Sequence, residues 1–198
     1  MEHPVTDGAN QPTLENELLE TARDQGFTRA GIVSAAEPRR YAEFRRWLER
    51  GFHGEMGYMA ELADARADLD PILEGARSAI VVLASYDHRQ PPPKPGHGRV
   101  ARYAHGADYH QIMRAALEEL VARLRESGAE ARACVDTAPI LERDLAERAG
   151  LGFIGKNTML ITPGVGSYTL IGSVLTTAEL EPTPAPELGD RCGTCTAC

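Results

Sequence analysis

The sequence lacks any uninterrupted apolar run of the ~18 residues that a membrane-spanning helix needs, although 42% of its 198 residues are hydrophobic. A globular protein with a sizeable core and no membrane partner is expected. Residues 1–12 also lack the apolar stretch of a secretory signal: they are polar, with Glu2, Asp7 and two prolines. Cations are in deficit. The 21 Lys and Arg face 29 Asp and Glu, a formal charge of −8, which argues against a phosphate-binding surface on this stretch by itself. Cysteine is scarce, four in all, and three of them crowd the last seven positions while Cys134 stands alone. Such usage fits a reducing compartment better than a disulfide framework, so a cytoplasmic address is expected. The length suits one domain of about 170 residues and the beginning of another.

What is present is concentrated in motifs. Cys192, Cys195 and Cys198 are spaced C-x-x-C-x-x-C, the opening of the ferredoxin run C-x-x-C-x-x-C-x-x-x-C-P, in which three thiolates hold one [4Fe-4S] cluster and the fourth serves another. The chain stops at the third, so it reads as the front part of a longer protein. A structural zinc site is the rival and needs four donors in a closed shell. A redox pair needs only two thiols, and the third at the same interval counts against it.

Taken in order, residues 14–25 place Leu14, Leu18, Leu19 and Ala22 on one helical face, with Gly26 at the C-terminal cap. A short strand is expected over 30–33. A helix opened by Pro38 follows, carrying Tyr41, Phe44, Trp47 and Leu48. The glycine- and aromatic-rich stretch 52–59 reads either as a ligand-contacting loop or as a packed turn with Met56, Tyr58 and Met59 in the core. Residues 78–86 form the clearest strand, apolar enough for burial on both faces of a sheet. Prolines 91, 92, 93 and 95 stiffen the next loop. Residues 99–110 hold Arg102, Tyr103, His105, Asp108, Tyr109 and His110, more hydrogen-bonding chemistry than solubility requires; Asp108 alone also reads as a helix cap. The long helix after it shows Ile112, Ala116, Leu117, Leu120 and Leu124 on one face.

A strand over 131–135 runs into Asp136, and Pro139 reads as the first turn of a helix bearing Ile140, Leu141, Leu145 and Ala149. Asp136 is either a cap, which would keep it ionised, or a catalytic acid, which needs the opposite shift; the apolar Val135, Ala138 and Ile140 would favour the latter. Residues 150–158 resemble a phosphate loop only faintly, because the glycine spacing departs from G-x-x-x-x-G-K-[ST] and Asn157 follows Lys156. An ATPase is therefore rejected, whereas close backbone approach to a flat or phosphate-bearing ligand is retained. Residues 159–161 and 167–175 flank a turn and read as a hairpin. Pro182, Pro184 and Pro186 mark a semi-rigid linker.

Five ordered stretches, 52–59, 101–110, 135–143, 149–158 and 192–198, together resemble the epoxyqueuosine reductase family from about Leu14 onward. The resemblance implies an α/β (α+β) fold: a nitroreductase-like sandwich with a mixed central sheet, related also to reductive dehalogenases, followed by the start of a ferredoxin-like segment. It implies a tail over 1–13, a cobalamin-binding catalytic domain over 14–177, a linker over 178–190 and a truncated cluster segment over 191–198. The implied activity is reduction of epoxyqueuosine to queuosine at the wobble position of tRNA. Cobalamin and two [4Fe-4S] clusters would serve it, with electrons from a flavodoxin or ferredoxin to a monomeric enzyme. Asp136 matches the proton donor, and Cys192, Cys195 and Cys198 match ligands of the first cluster. Cobalamin contacts are implied around Arg102, Tyr103, His110, Asp136, Lys156, Asn157, Thr158, Ser167 and Tyr168. A lower-ligand histidine motif D-x-H-x-x-G is begun by Asp108 and His110 but broken by Met113, as the family's histidine-free corrinoid site implies. The missing remainder would hold the tRNA backbone, so this stretch alone should not catalyse. Two alternatives stay open: a corrinoid reductive dehalogenase, which usually begins with an export signal, and a non-catalytic corrinoid or iron-sulfur carrier, which needs neither Asp136 nor a substrate cavity.

Overall fold

Helix α1 (Leu14–Asp24) begins where Thr13 accepts the Asn16 amide in its side chain, and it ends before Gly26 at φ +85°. Gly26 sits at the helix end as expected, and Thr13 adds an N-cap beyond that expectation. The computed structural model describes residues 12–88, 91, 95–185 and 191–197. Residues 1–11 of the expected tail over 1–13, residues 89–90 and 92–94 around the proline loop, residues 186–190 of the expected linker and Cys198 lie outside the described residues. The next elements are β1 (Arg29–Ser34), α2 (Tyr41–Glu49), α3 (Gly57–Glu61), β2 (Ser78–Ser85), α4 (Tyr109–Glu126) and β3 (Ala131–Cys134). They are followed by α5 (Glu142–Arg148), β4 (Phe153–Ile154), β5 (Leu160–Ile161) and β6 (Thr169–Thr176).

The main sheet runs in the order β1-β2-β6-β3, and a second sheet pairs β4 with β5. All pairings are antiparallel, not mixed as expected. Burial of β2 on both faces did signal an interior strand, but helices on both sides of an antiparallel sheet bury it as completely as the crossovers of a parallel one. Along β2, Ile80 and Val82 face α1 and α4, where Leu18, Leu117, Leu120 and Leu124 fill one half of the core. Ala79, Val81 and Leu83 alternate to the other face, against Leu145, Ala146 and Leu151 around α5.

Several elements depart from expectation. In α4 the buried face is Met113, Leu117, Leu120, Val121 and Leu124, and Ile112 is 58% exposed. Counting back four residues from Leu117 leads to Met113 rather than Ile112. Neither Pro38 nor Pro139 opens a helix: α2 starts at Tyr41 and α5 at Glu142, because tight turns intervene, such as Thr137 N–H to Val135 O at 2.6 Å. The turn over 162–166 is present, bridged by Thr162 and Gly166, but its flanks go to different sheets. β5 pairs with β4, whereas β6 enters the main sheet between β2 and β3. The packed-turn reading of 52–59 fails for Met56 and Tyr58, which remain exposed beside a short α3.

Residues 178–185 are tied to the main sheet. Thr183 donates its amide to Ile32 O at 3.0 Å, accepts the Ile32 amide in its hydroxyl at 3.2 Å, and caps Ala149 O at 3.1 Å. These bonds occupy the free edge of β1, which would otherwise present unpaired backbone groups.

Candidate active site

Asp136 follows β3 with φ at +59°, a left-handed conformation that costs an L-residue roughly 1–2 kcal/mol and is tolerated best by Gly, Asn and Asp. Strain of this kind concentrates at functional positions. The turn lifts the carboxylate out of the sheet. Its side chain is 60% exposed, so it is not enclosed by Val135, Ala138 and Ile140. Its neighbours are polar instead. Tyr109 donates its hydroxyl to Asp136 Oδ2 at 2.8 Å, and His110 Nε2 lies 3.3 Å from the same oxygen. On its other side, His110 Nδ1 lies 2.8 Å from Asp108 Oδ1, which also accepts the His110 amide as the α4 N-cap. Asp108 thus caps the helix, as one reading had it, and orients an imidazole as well.

The charges follow this chain. Hydrogen bonding to Asp108, and secondarily to Asp136, raises the His110 pKa above its ordinary value, which favours an imidazolium donating from both nitrogens. Asp108 is held low by the His110 bonds. Burial, reinforced by the Asp136 hydrogen bond, raises the Tyr109 phenol well above its usual range. Tyr109 therefore stays a hydrogen-bond donor at neutral pH.

Aromatic rings carry the site away from Asp136. Tyr109 stacks on His110 with centroids 4.0 Å apart and meets the edge of Tyr103 at 6.3 Å. Tyr103 meets Tyr86, and Tyr86 meets Tyr168 at 5.6 Å. The Arg102 guanidinium lies 4.6 Å over the Tyr168 ring and pairs with Asp87. A cavity of about 380 Å³ opens here, lined by Tyr86, Arg99, Val100, Arg102, Tyr103 and Tyr168. Its flat apolar faces and two guanidinium groups suit a planar ligand with polar or phosphate substituents. Four candidates from the sequence (Arg102, Tyr103, His110 and Tyr168) thus join Asp136 in one run of contacts; Ser167 sits half-buried beside Tyr168.

The other candidates form a second group. Lys156 donates to Gly193 O at 2.6 Å and Cys195 O at 3.2 Å. Asn157 accepts the Met159 amide at 3.1 Å, and Thr158, at φ +65°, accepts Arg143 Nη1 on its carbonyl. Close approach at these glycines is internal: a Cβ on Gly152 would come within 2.6 Å of Ile161 O, across the β4–β5 pair. Cys195 N–H bonds Cys192 O at 2.9 Å, a turn that carries both thiols. Cys134 is different, because burial pushes its thiol up to about 11, which makes it an inert core residue. Among the described residues no cluster of three or more potential ligands is assembled.

The chain as a whole has similar proteins. A family model described as "Epoxyqueuosine reductase QueG, DUF1730" matches residues 66–137. An epoxyqueuosine reductase of Gloeobacter violaceus is 41% identical over 187 residues, 92% of this chain and 57% of that protein. Over this shared stretch the chain belongs to the epoxyqueuosine reductase family. It spans little more than half the length of that relative. Among solved structures, an epoxyqueuosine reductase with an epoxyqueuosine-modified tRNA-Tyr stem loop superposes with TM-score 0.78 at 28% identity, covering 92% of this chain and 50% of that one. The Bacillus subtilis epoxyqueuosine reductase, whose aspartate-bearing catalytic loop is swung out of the active site, gives TM-score 0.71 at 27% identity over the same shares. A reductive dehalogenase described as B12-dependent matches at TM-score 0.55 and 19% identity, which shows the fold alone.

Two residues absent from the sequence-derived site organise this member of the family locally. Glu142 Oε1 accepts the Asp136 amide at 2.9 Å, and the adjacent Arg143 holds Thr158. The first turn of α5 therefore anchors both halves of the site. The signal was in the sequence, where Glu142 and Arg143 close the stretch that begins at Val135. Burial pushes the Glu142 carboxyl from 4.5 up to about 7, with the Asp136 amide opposing that shift and the Asp136 charge adding to it.

A raised carboxyl pKa means that folding disfavours the ionised form. Wild-type stability should therefore fall as pH rises from about 4.5 to about 7 and then level off. Glu142→Gln is expected to match wild type in urea unfolding below about pH 4.5 and to exceed it above pH 7. A variant less stable than wild type at pH 8 would contradict this.

Proposed function

We propose that this chain forms the catalytic part of an epoxyqueuosine reductase that reduces epoxyqueuosine to queuosine in tRNA, with Asp136 as the proton donor. One observation carries the reading: in a chain 41% identical to such an enzyme, an exposed aspartate on a left-handed turn is gripped by Tyr109 and His110 at the end of an aromatic cleft. The Asp136 turn corresponds, on this reading, to the catalytic loop of the Bacillus subtilis enzyme. Deoxygenating an epoxide takes two electrons and two protons, and its oxygen leaves as water. Asp136 would protonate that oxygen. His110, charged and bonded to the same carboxylate, would replenish the proton.

Cobalamin fits the cleft in chemistry: Tyr86, Tyr103 and Tyr168 offer ring faces, while Arg99 and Arg102 offer donors to amide or phosphate groups. When bound, the corrinoid would supply the two-electron centre. Cys192, Cys195 and Cys198 would ligate a [4Fe-4S] cluster, with Lys156 seating their loop. Residues 14–177 would then be the catalytic domain, residues 178–190 the connection and residues 191–198 the start of the cluster segment. A reductive dehalogenase shares the fold, but at 19% identity it has no comparable support in sequence.

The direct test uses full-length protein, anaerobically reconstituted and supplied with cobalamin, a reductant and tRNA bearing epoxyqueuosine. Conversion to queuosine is expected, with about eight irons per chain for two clusters. Stoichiometric zinc without iron-sulfur absorbance, or intact epoxide after many equivalents of reductant, would overturn it. The net charge of −8 predicts a further division: full-length protein should bind the tRNA with a steep salt dependence, and residues 1–198 should bind it weakly at the same ionic strength. Equal affinity of the two would place the phosphate contacts here, with Arg99, Arg102 and Lys156 the first candidates.

A further inference from the structure

The Asp136 turn is strained and largely exposed, yet its backbone is fixed at one point by a group from a different element. Asp136 N–H points inward to Glu142 Oε1 at 2.9 Å, while its carboxylate points outward to Tyr109 and His110. Among the described residues the other backbone bonds near the turn are short-range, from Thr137 N–H to Val135 O and from Ile140 N–H to Ala138 O, and these travel with it. We infer that Glu142 is the positioning residue that latches the Asp136 turn in its seated conformation by accepting the Asp136 amide. The reading rests on Asp136 being the proton donor, but the latch itself is a property of the chain.

The physical basis is the cost of leaving an inward-facing amide without an acceptor: removing the Glu142 oxygen should raise the open population about fivefold or more. Burial and the Asp136 charge raise the Glu142 pKa while the turn is seated, so the acceptor oxygen rather than the charge carries the latch. The groups facing Glu142 are Asp136 from the turn, Tyr109 and His110 from α4, Cys134 from β3 and Arg143 from α5 itself. Asp136 opposes its ionisation, while Arg143 and His110 assist it. Opening would release Asp136 from its left-handed conformation, so strain and latch oppose each other, and a modest change in the latch moves the population.

Amide hydrogen exchange of residues 135–139 in the full-length protein tests this without substrate, so its outcome is separate from that of the activity assay. At pH 5.5, where Glu142 is mostly protonated, the segment should exchange at about the same rate in wild type and in Glu142→Gln, which keeps the acceptor oxygen. Glu142→Leu, which has no acceptor, should exchange about fivefold or more faster than both. A leucine variant as protected as wild type, or a glutamine variant as exposed as the leucine one, would overturn the latch.

Discussion

Replacing Asp136 with asparagine is expected to lower single-turnover reduction of epoxyqueuosine in the full-length enzyme by about 10²–10⁴-fold while leaving corrinoid binding intact and the fold nearly as stable. The two halves of this expectation have separate causes. Asparagine tolerates the left-handed region nearly as well as aspartate, so the +59° turn survives. The backbone bond to Glu142 is untouched, and Tyr109 can donate to the amide oxygen as it does to the carboxylate. What asparagine cannot do is pass a proton to a leaving oxygen. His110 would also lose one of the groups that raise its pKa, though Asp108 remains the main one. Below its ordinary pKa, His110 gains its full stabilisation from these carboxylates, and the gain disappears as pH rises through the raised value. The variant's stability profile should therefore differ from wild type only modestly and only across that window. Loss of corrinoid or unfolding in Asp136→Asn would make the residue a structural cap and refute the assignment.

Much of this arrangement was legible in the chain because local chemistry dictates it. The Gly26 end of α1, the α4 N-cap at Asp108 and the apolar run of β2 each act within a few residues of themselves, and each sits where the pattern implied. The strand partners were not legible, since a run of apolar residues carries no record of the direction of its neighbour. For this reason β6 entered the main sheet unannounced while β5 paired with β4. The site divides in the same way. Asp136, His110 and Tyr103 stood out as unusual residues for their surroundings, whereas Tyr168 was implied only by the family resemblance. Glu142 did not stand out, because an acid in the first turn of a helix is ordinary there, and its role depends on a backbone amide six residues away whose direction is set by a positive φ. Similarly, Lys156 was conspicuous, but its partners on the cysteine segment, at positions 193 and 195, come from a distant part of the chain.

The anchor of the site is α5, and its far end rests on a buried ion pair whose disruption should be the most damaging single change outside the site. Arg148 Nε donates to Asp144 Oδ2 at 2.9 Å, with the two side chains only 6% and 2% exposed. Asp144 Oδ1 also accepts the Arg40 amide at 2.9 Å, and Arg148 Nη1 reaches Ser34 O at 3.1 Å, so α2, β1 and α5 converge on this pair. Burial opposes both charges, raising the Asp144 pKa and lowering that of Arg148, and Arg148 Nη2 already lacks a hydrogen-bond partner. Asp144→Ala would leave the guanidinium buried and uncompensated, at a cost of about 3–5 kcal/mol. For a domain of this size that corresponds to a fall in Tm of roughly 6–20 °C. Because desolvation works against the pair, Asp144→Leu combined with Arg148→Met should recover most of the loss, since apolar replacements of similar volume are often neutral or better. Thermal and urea unfolding of the single and double variants measure the difference. A single variant within about 1 kcal/mol of wild type would mean that water reaches Arg148, and the pair would then no longer explain how α5 is held for Glu142 and Arg143 to do their work.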